Sequence, residues 1–273
     1  MDEIRETEAA ADTAAIYAEI RAATGLPFVN LLWRHMAALP GVLPWVWGIV
    51  GDAYRSGAVA QAALRLRGAA PDLGLAPLRP DDLSAAGLDD DDQRTLRDLV
   101  EAYNRGNAQN LIGWTALLHQ LSGKAMAAQD ELPADGTPPD ALPPVPPIPR
   151  FDHLDTSTRA LVDRLAERHK AFPPGARPSL YVHLATWPGL LDAVDARLGP
   201  ALDGVGLHGA SADLVARATD EAHRLTPHLA TATTQPAAAE RARITTALEA
   251  FTGGGVPDMI VVGTAISRAL TLA

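Results

Sequence analysis

HMAALPGVLPWV (His35–Val46) and HLATWPGLLDAV (His183–Val194) share His, Ala, Pro, Gly, Leu and Val in register, 148 residues apart. LVEAYNRGN (Leu99–Asn107) returns as ALEAFTGGG (Ala247–Gly255) at the same offset, pairing Glu101 with Glu249, Ala102 with Ala250 and Tyr103 with Phe251. Two separated matches at one offset predict that one unit is built twice, over about residues 10–128 and 152–273. Past Gly255 the register slips by one, since WTALL (Trp114–Leu118) best matches GTAIS (Gly263–Ser267). The organisation expected is a first repeat over 1–129, a connector over 130–151 and a second repeat over 152–273. Eight prolines lie between Pro133 and Pro149. Each fixes φ and removes a backbone donor, so the connector reads as stiff and extended, without helix or strand.

Each copy reads as helical. The spacing predicts a first helix over Asp12–Thr24 and its counterpart over Ser157–Lys170, then a turn and the helix bearing the histidine. The Pro-Gly pair is expected to end that helix in a left-handed turn, with a new helix from about Val42 or Leu190. In Leu83–Tyr103 the run Asp89–Asp92 suits a helix N-terminus, where carboxylates meet the positive end of the dipole. It lacks the alternating ligands and distal glutamate of a calcium loop. Thr252–Gly255 follows no strand, so it reads as a flexible helix break rather than a phosphate loop. Alanine is abundant and β-branched runs are scarce. The fold class expected is all-α, two tandem similar helical halves forming a pseudo-dimer.

Among 273 residues, 47% are hydrophobic and 21% charged, as in an ordinary globular protein. The net charge of −10 argues against nucleic acid and anionic membranes as partners. With no cysteine there is no disulfide, thiolate nucleophile or sulfur-ligated metal. The first residues are acidic, without the apolar core of a secretory signal. The most apolar stretch, Leu31–Val50, contains Arg34, His35, Pro40, Gly41 and Pro44, and so reads as helix, break and helix rather than a membrane span. A cytoplasmic location is expected, with the N-terminal ten residues frayed. The eight histidines include no pair at close metal-ligand spacing, and no metal is expected. Trp33, Trp45, Trp47, Trp114 and Trp187 stand beside leucines at helical spacing and read as packing rather than a ligand cage. A chain folded as an internal dimer needs no partner to bury the repeated face, so both monomer and homodimer fit.

Three stretches carry a family resemblance: YAEIRAATGLPFVNLLWRHMAALPGVLPWVW (Tyr17–Trp47), AAGLDDDDQRTLRDLVEAYNRGN (Ala85–Asn107) and SLYVHLATWPGLL (Ser179–Leu191). Together they resemble the group I 2-haloacid dehalogenases, which act on D- and L-2-haloacids. The resemblance implies two similar all-α halves with a pocket between them for a small 2-substituted carboxylic acid. It also implies cofactor-free chemistry, in which an aspartate deprotonates a water that displaces halide with inversion. By this resemblance Asn107 positions the water, Phe28 and Leu31 wall the pocket, and Ser179 contacts the carboxylate. The base position falls on Leu180, which takes no proton. On the helix after the first Pro-Gly turn, a hydroxyl residue and a glutamate four later fall on Ser56 and Ala60, so only the hydroxyl is kept.

His183, three residues past Leu180 and on the same helix face, is a candidate replacement base. Its counterpart His35 stands where no base is expected, which favours a packing or hydrogen-bonding role for both. Asp192, Asp195 and Asp52 are the other nearby carboxylates, and all are expected to face water. Since losing a general base costs ~10²–10⁴ in rate, strong 2-haloacid hydrolysis is not expected. Two readings from other classes stand beside the hydrolase. One is a non-catalytic binder of a small carboxylic acid. The other is a peroxidase-related helical protein resembling carboxymuconolactone decarboxylases, which lacks the cysteine pair that its thiol chemistry needs.

Overall fold

The computed structural model describes residues 2–123, 136–169, 172, 175–202, 206–232 and 234–271. Among these every regular element is helical. The helices are α1 (Ala11–Thr24), α2 (Leu31–Ala38), α3 (Val42–Arg55), α4 (Ala58–Gly68), α5 (Pro80–Ala85), α6 (Asp90–Ser122), α7 (Thr156–Glu167), α8 (Ser179–Leu184), α9 (Pro188–Leu202), α10 (Gly206–Arg224), α11 (Ala238–Ala250) and α12 (Val256–Thr271), with short 3₁₀ turns between some of them. No helix among the described residues is long and apolar enough to cross a membrane. The start of the connector, 130–135, lies outside the described residues. From 136 to 150 the chain has neither helix nor strand, as its prolines require.

The chain packs into two compact units. Unit 1 takes 1–68, 108–142 and 215–252; unit 2 takes 69–107, 143–214 and 253–273. Each therefore holds the beginning and end of one sequence copy and the middle of the other. Moved by the 148-residue offset, 1–68 of unit 1 falls on 149–216, against 143–214 in unit 2. Moved back, 215–252 falls on 67–104, against 69–107. The repeat is a relation of sequence and the unit a relation of packing, and the offset links the two.

Unit 1 is built around aromatics. Trp33 meets Trp47, Tyr54 and Trp114 edge-on, with ring centroids 5.8–6.2 Å apart. All five tryptophans of the chain are buried. Gly113 on α6 lies against the Tyr54 ring, where a Cβ has no room. The N-terminal stretch, expected to be frayed, is tied down at Ile4 and Glu6. Ile4 N–H donates to the Arg34 carbonyl, Tyr17 Oη–H donates to the Ile4 carbonyl, and Glu6 pairs with Arg21 and accepts from Val29 N–H.

In unit 2 the acidic run caps a helix as expected. Asp89 accepts from Asp92 N–H at 2.8 Å, and α6 then continues for 33 residues. Leu83 lies instead in the separate helix α5, which ends before Gly87 at φ +90°. The two Pro-Gly pairs also differ. Gly41 takes the left-handed turn (φ +73°) ahead of α3. Pro188 instead opens α9, where its missing N–H costs nothing. Gly189 is then helical, and a Cβ on it would lie 2.5 Å from the Ala86 carbonyl. Glycine is needed at one position for conformation and at the other for closeness. Phe251–Gly255, expected as a break, is a π-helical turn leading straight into α12.

Candidate functional site

The positions singled out in the second copy lie on α8, which is only six residues long. A helix this short is unstable alone, and its N-cap, Pro178, supplies no side-chain cap. Its hold comes from burial and from two polar attachments. Leu180, Tyr181, Val182, His183 and Leu184 are all buried, while Ser179 is half-buried.

The first attachment runs through His183. Its Nε2 lies 2.7 Å from the Pro146 carbonyl, which only accepts, so Nε2 carries the proton. Nδ1 then accepts from Tyr103 Oη–H at 3.2 Å. Burial lowers the pKa of His183, the Pro146 bond working weakly the other way. Both ring nitrogens are thus occupied in a neutral tautomer that ties the connector and α6 to α8. Tyr103 stands one turn before Asn107 on α6. Asn107 is half-buried. Asn104, on the same stretch, is 1% exposed; its Nδ2–H donates to the Gly263 carbonyl at 3.1 Å, and its Oδ1 is a buried acceptor with no partner among the described residues.

The second attachment was not foreseen. Tyr181 Oη lies 2.7 Å from His169 Nε2, and His169 Nδ1 lies 3.0 Å from Asp258 Oδ2. Ser211 Oγ–H donates to the other oxygen of Asp258. One assignment satisfies every polar atom: Tyr181 donates to His169, while His169 and Ser211 both donate to Asp258. All four residues are at least nine-tenths buried. Burial first, and the nearby Asp258 charge second, push the Tyr181 phenol well above its ordinary range, so it stays a donor. The sequence held one signal for this network. Asp258 is a lone acid at the head of the apolar run VPDMIVVGTAI, and a buried carboxylate needs partners.

Of the other positions named from sequence, Phe28, Leu31 and Ser56 belong to unit 1, and Asn107, Ser179, Leu180 and His183 to unit 2. Phe28 and Leu31 are half-buried where the chain enters α2. Ser56 caps the end of α3, and its hydroxyl donates to the Ala53 carbonyl at 3.2 Å. Asp52 is exposed and paired with Arg55, and Asp192 is exposed. Asp195, expected to face water, is instead largely enclosed between Arg164 and Arg168. Among the described residues, no three His, Asp or Glu side chains are grouped to hold a metal.

No family model matches the chain. A configuration-inverting 2-haloacid dehalogenase from Alcaligenes xylosoxydans xylosoxydans is 27% identical over 225 residues, covering 80% of this chain and 75% of that protein. The sequence likeness thus runs to a 2-haloacid dehalogenase along most of the chain. A D-2-haloacid dehalogenase mutant superposes with a TM-score of 0.84 at 17% identity, over 99% of this chain and 96% of that one. A complex of D-2-haloacid dehalogenase with L-LA gives 0.82 at 17%, over the same shares. A mutant complex with D-2-CPA gives 0.78 at 18%, over 97% of this chain and 96% of that one. At such identities the solved structures establish the all-α fold alone for this chain.

Proposed function

We propose that this chain is a member of the group I 2-haloacid dehalogenase family that binds a small 2-substituted carboxylic acid without hydrolysing it by the family's water attack. One observation carries the reading: the position that the resemblance gives to the aspartate base is Leu180, a buried hydrocarbon beside Ser179. Leucine can wall a pocket for an apolar substituent, but it cannot take a proton from water. The rest of the inherited set, Asn107, Ser179, Phe28 and Leu31, is half-buried and retains its chemistry. His183 is a poor substitute, because its one lone pair receives the Tyr103 hydroxyl. To act as a base it must first give up that bond.

The test compares halide release from both enantiomers of 2-chloropropionate by the native chain and a Leu180→Asp variant, with calorimetric binding of each acid alongside. Native binding without turnover, and halide release at least ~100-fold above native in the variant, are the expected results. Turnover by the native chain, abolished by His183→Ala, would overturn the reading in favour of a relocated base. A folded native chain and variant that both ignore the acid would remove the binding assignment itself.

A further inference from the structure

The Tyr181–His169–Asp258–Ser211 network takes no part in the proposed binding. It touches the site at one place, because Tyr181 follows Ser179 and Leu180 directly. On a helix Tyr181 and His183 project about 160° apart, with Leu180 between them. α8 is thus held from two sides, by His169 on one and by Tyr103 and the Pro146 carbonyl on the other. The first copy meets the same need. Trp33, at the position of Tyr181, donates through Nε1–H to Asn110 Oδ1 at 3.1 Å, and Asn110 falls within one position of Asp258, where the register between the copies slips. Anchoring the residue two before the histidine to the last long helix of its sequence copy is therefore a property of both copies. In the second copy a phenol is too short to span alone, and His169 bridges the gap.

We infer that His169, oriented by Asp258 and Ser211, is a positioning residue that fixes the rotation and depth of α8 through Tyr181, and so sets where Ser179 and Leu180 meet a bound carboxylic acid. This rests on the binding reading above. Nothing in the network reaches solvent or substrate, so its part is to orient. A buried hydrogen bond to a ring nitrogen tolerates little rotation, and six residues of helix have too few hydrogen bonds of their own to fix their register.

The two nitrogens of His169 can be tested apart. In His169→Gln the amide reaches the Nε2 position and can still receive Tyr181, while the Asp258 bond is lost. In His169→Asn the amide stays at the Nδ1 position, so Asp258 is kept and Tyr181 is released. Both variants lose a ring and similar packing, so a purely structural role predicts similar effects on acid affinity. Positioning predicts that calorimetric affinity for 2-chloropropionate falls about tenfold in His169→Asn, stays within about threefold of native in His169→Gln, and falls with His169→Asn in the milder variant Tyr181→Phe. Equal losses in the two His169 variants, or an unchanged affinity in Tyr181→Phe, would overturn the assignment.

Amide hydrogen exchange over residues 179–184 separates this from the binding reading, since it needs no ligand. If the native chain does not bind the acid, faster exchange confined to that segment in Tyr181→Phe and His169→Asn, but not in His169→Gln, still supports the clamp. Unchanged exchange in all three refutes it.

Discussion

In α2 the residue two before the histidine is an indole that reaches a neutral amide directly, Trp33 to Asn110. In α8 it is a phenol that reaches a carboxylate through an imidazole, Tyr181 to Asp258 by way of His169. The histidines of the repeated phrase differ as well. His35 Nδ1 lies 2.6 Å from the Asp2 carbonyl, so there Nδ1 donates. His183 donates from Nε2 to the Pro146 carbonyl and accepts at Nδ1. Each histidine fastens an irregular stretch of backbone to its helix, the N-terminal segment in unit 1 and the proline connector in unit 2. The duplicated phrase has kept its mechanical task and exchanged its chemistry. The second copy carries a buried charge where the first carries none.

The largest expected contrast lies between the two far anchors. Asp258→Ala strands the His169 Nδ1–H and the Ser211 hydroxyl and should cost about 3 kcal/mol. Asn110→Ala strands only the Trp33 N–H and should cost about 1–2 kcal/mol. Urea unfolding of both variants measures the difference, and equal costs would mean that the charged anchor is held no more tightly than the neutral one.

The two Pro-Gly turns come next. Gly189→Ala pushes a Cβ against the Ala86 carbonyl and should destabilise by about 2–3 kcal/mol, although alanine is the better helix former. Gly41→Ala meets nothing nearer than Pro236 Cβ at 3.8 Å, so only the strain of a positive φ remains, about 1–2 kcal/mol. A Gly189→Ala protein more stable than native would show that α9 shifts freely away from Ala86.

The smallest effect is a pH dependence from His183. Burial lowers its pKa in the fold, so below the ordinary histidine value of about 6.5 the unfolded chain binds protons that the folded chain refuses. Its contribution is complete above that value and is lost as pH falls from there through the lowered folded pKa. His183→Gln should therefore flatten the loss of stability on the acid side. An unchanged slope would place the acid sensitivity elsewhere.

Much of this could be read from residues near one another in the chain. Helix spacing, alanine content and the proline run determined an all-α fold and an extended connector, because propensity and periodicity act within a few residues. The Asp89–Asp92 run announced its helix for the same local reason. The two phrases marked α2 and α8 as counterparts, and Leu180 was legible as the residue at the position that the resemblance gives to an acid. The local signals failed where an identical dipeptide meets different surroundings. Gly41 and Gly189 are both preceded by proline, and only the nearness of the Ala86 carbonyl in unit 2 makes a glycine necessary at the second, which lies inside α9.

What tertiary structure alone decided are the pairings across long separations. The sequence states that Tyr181, His169, Ser211 and Asp258 exist, on four stretches spread over ninety residues. It does not say that one interior excludes water from all four and leaves them no partners but each other. Nor does it say that each compact unit joins both ends of one copy to the middle of the other. The repeated phrases are a pattern of sequence. Which of its parts pack together depends on where the chain can bury apolar surface and satisfy its polar groups at the same time, and that balance is struck only among residues brought together in space.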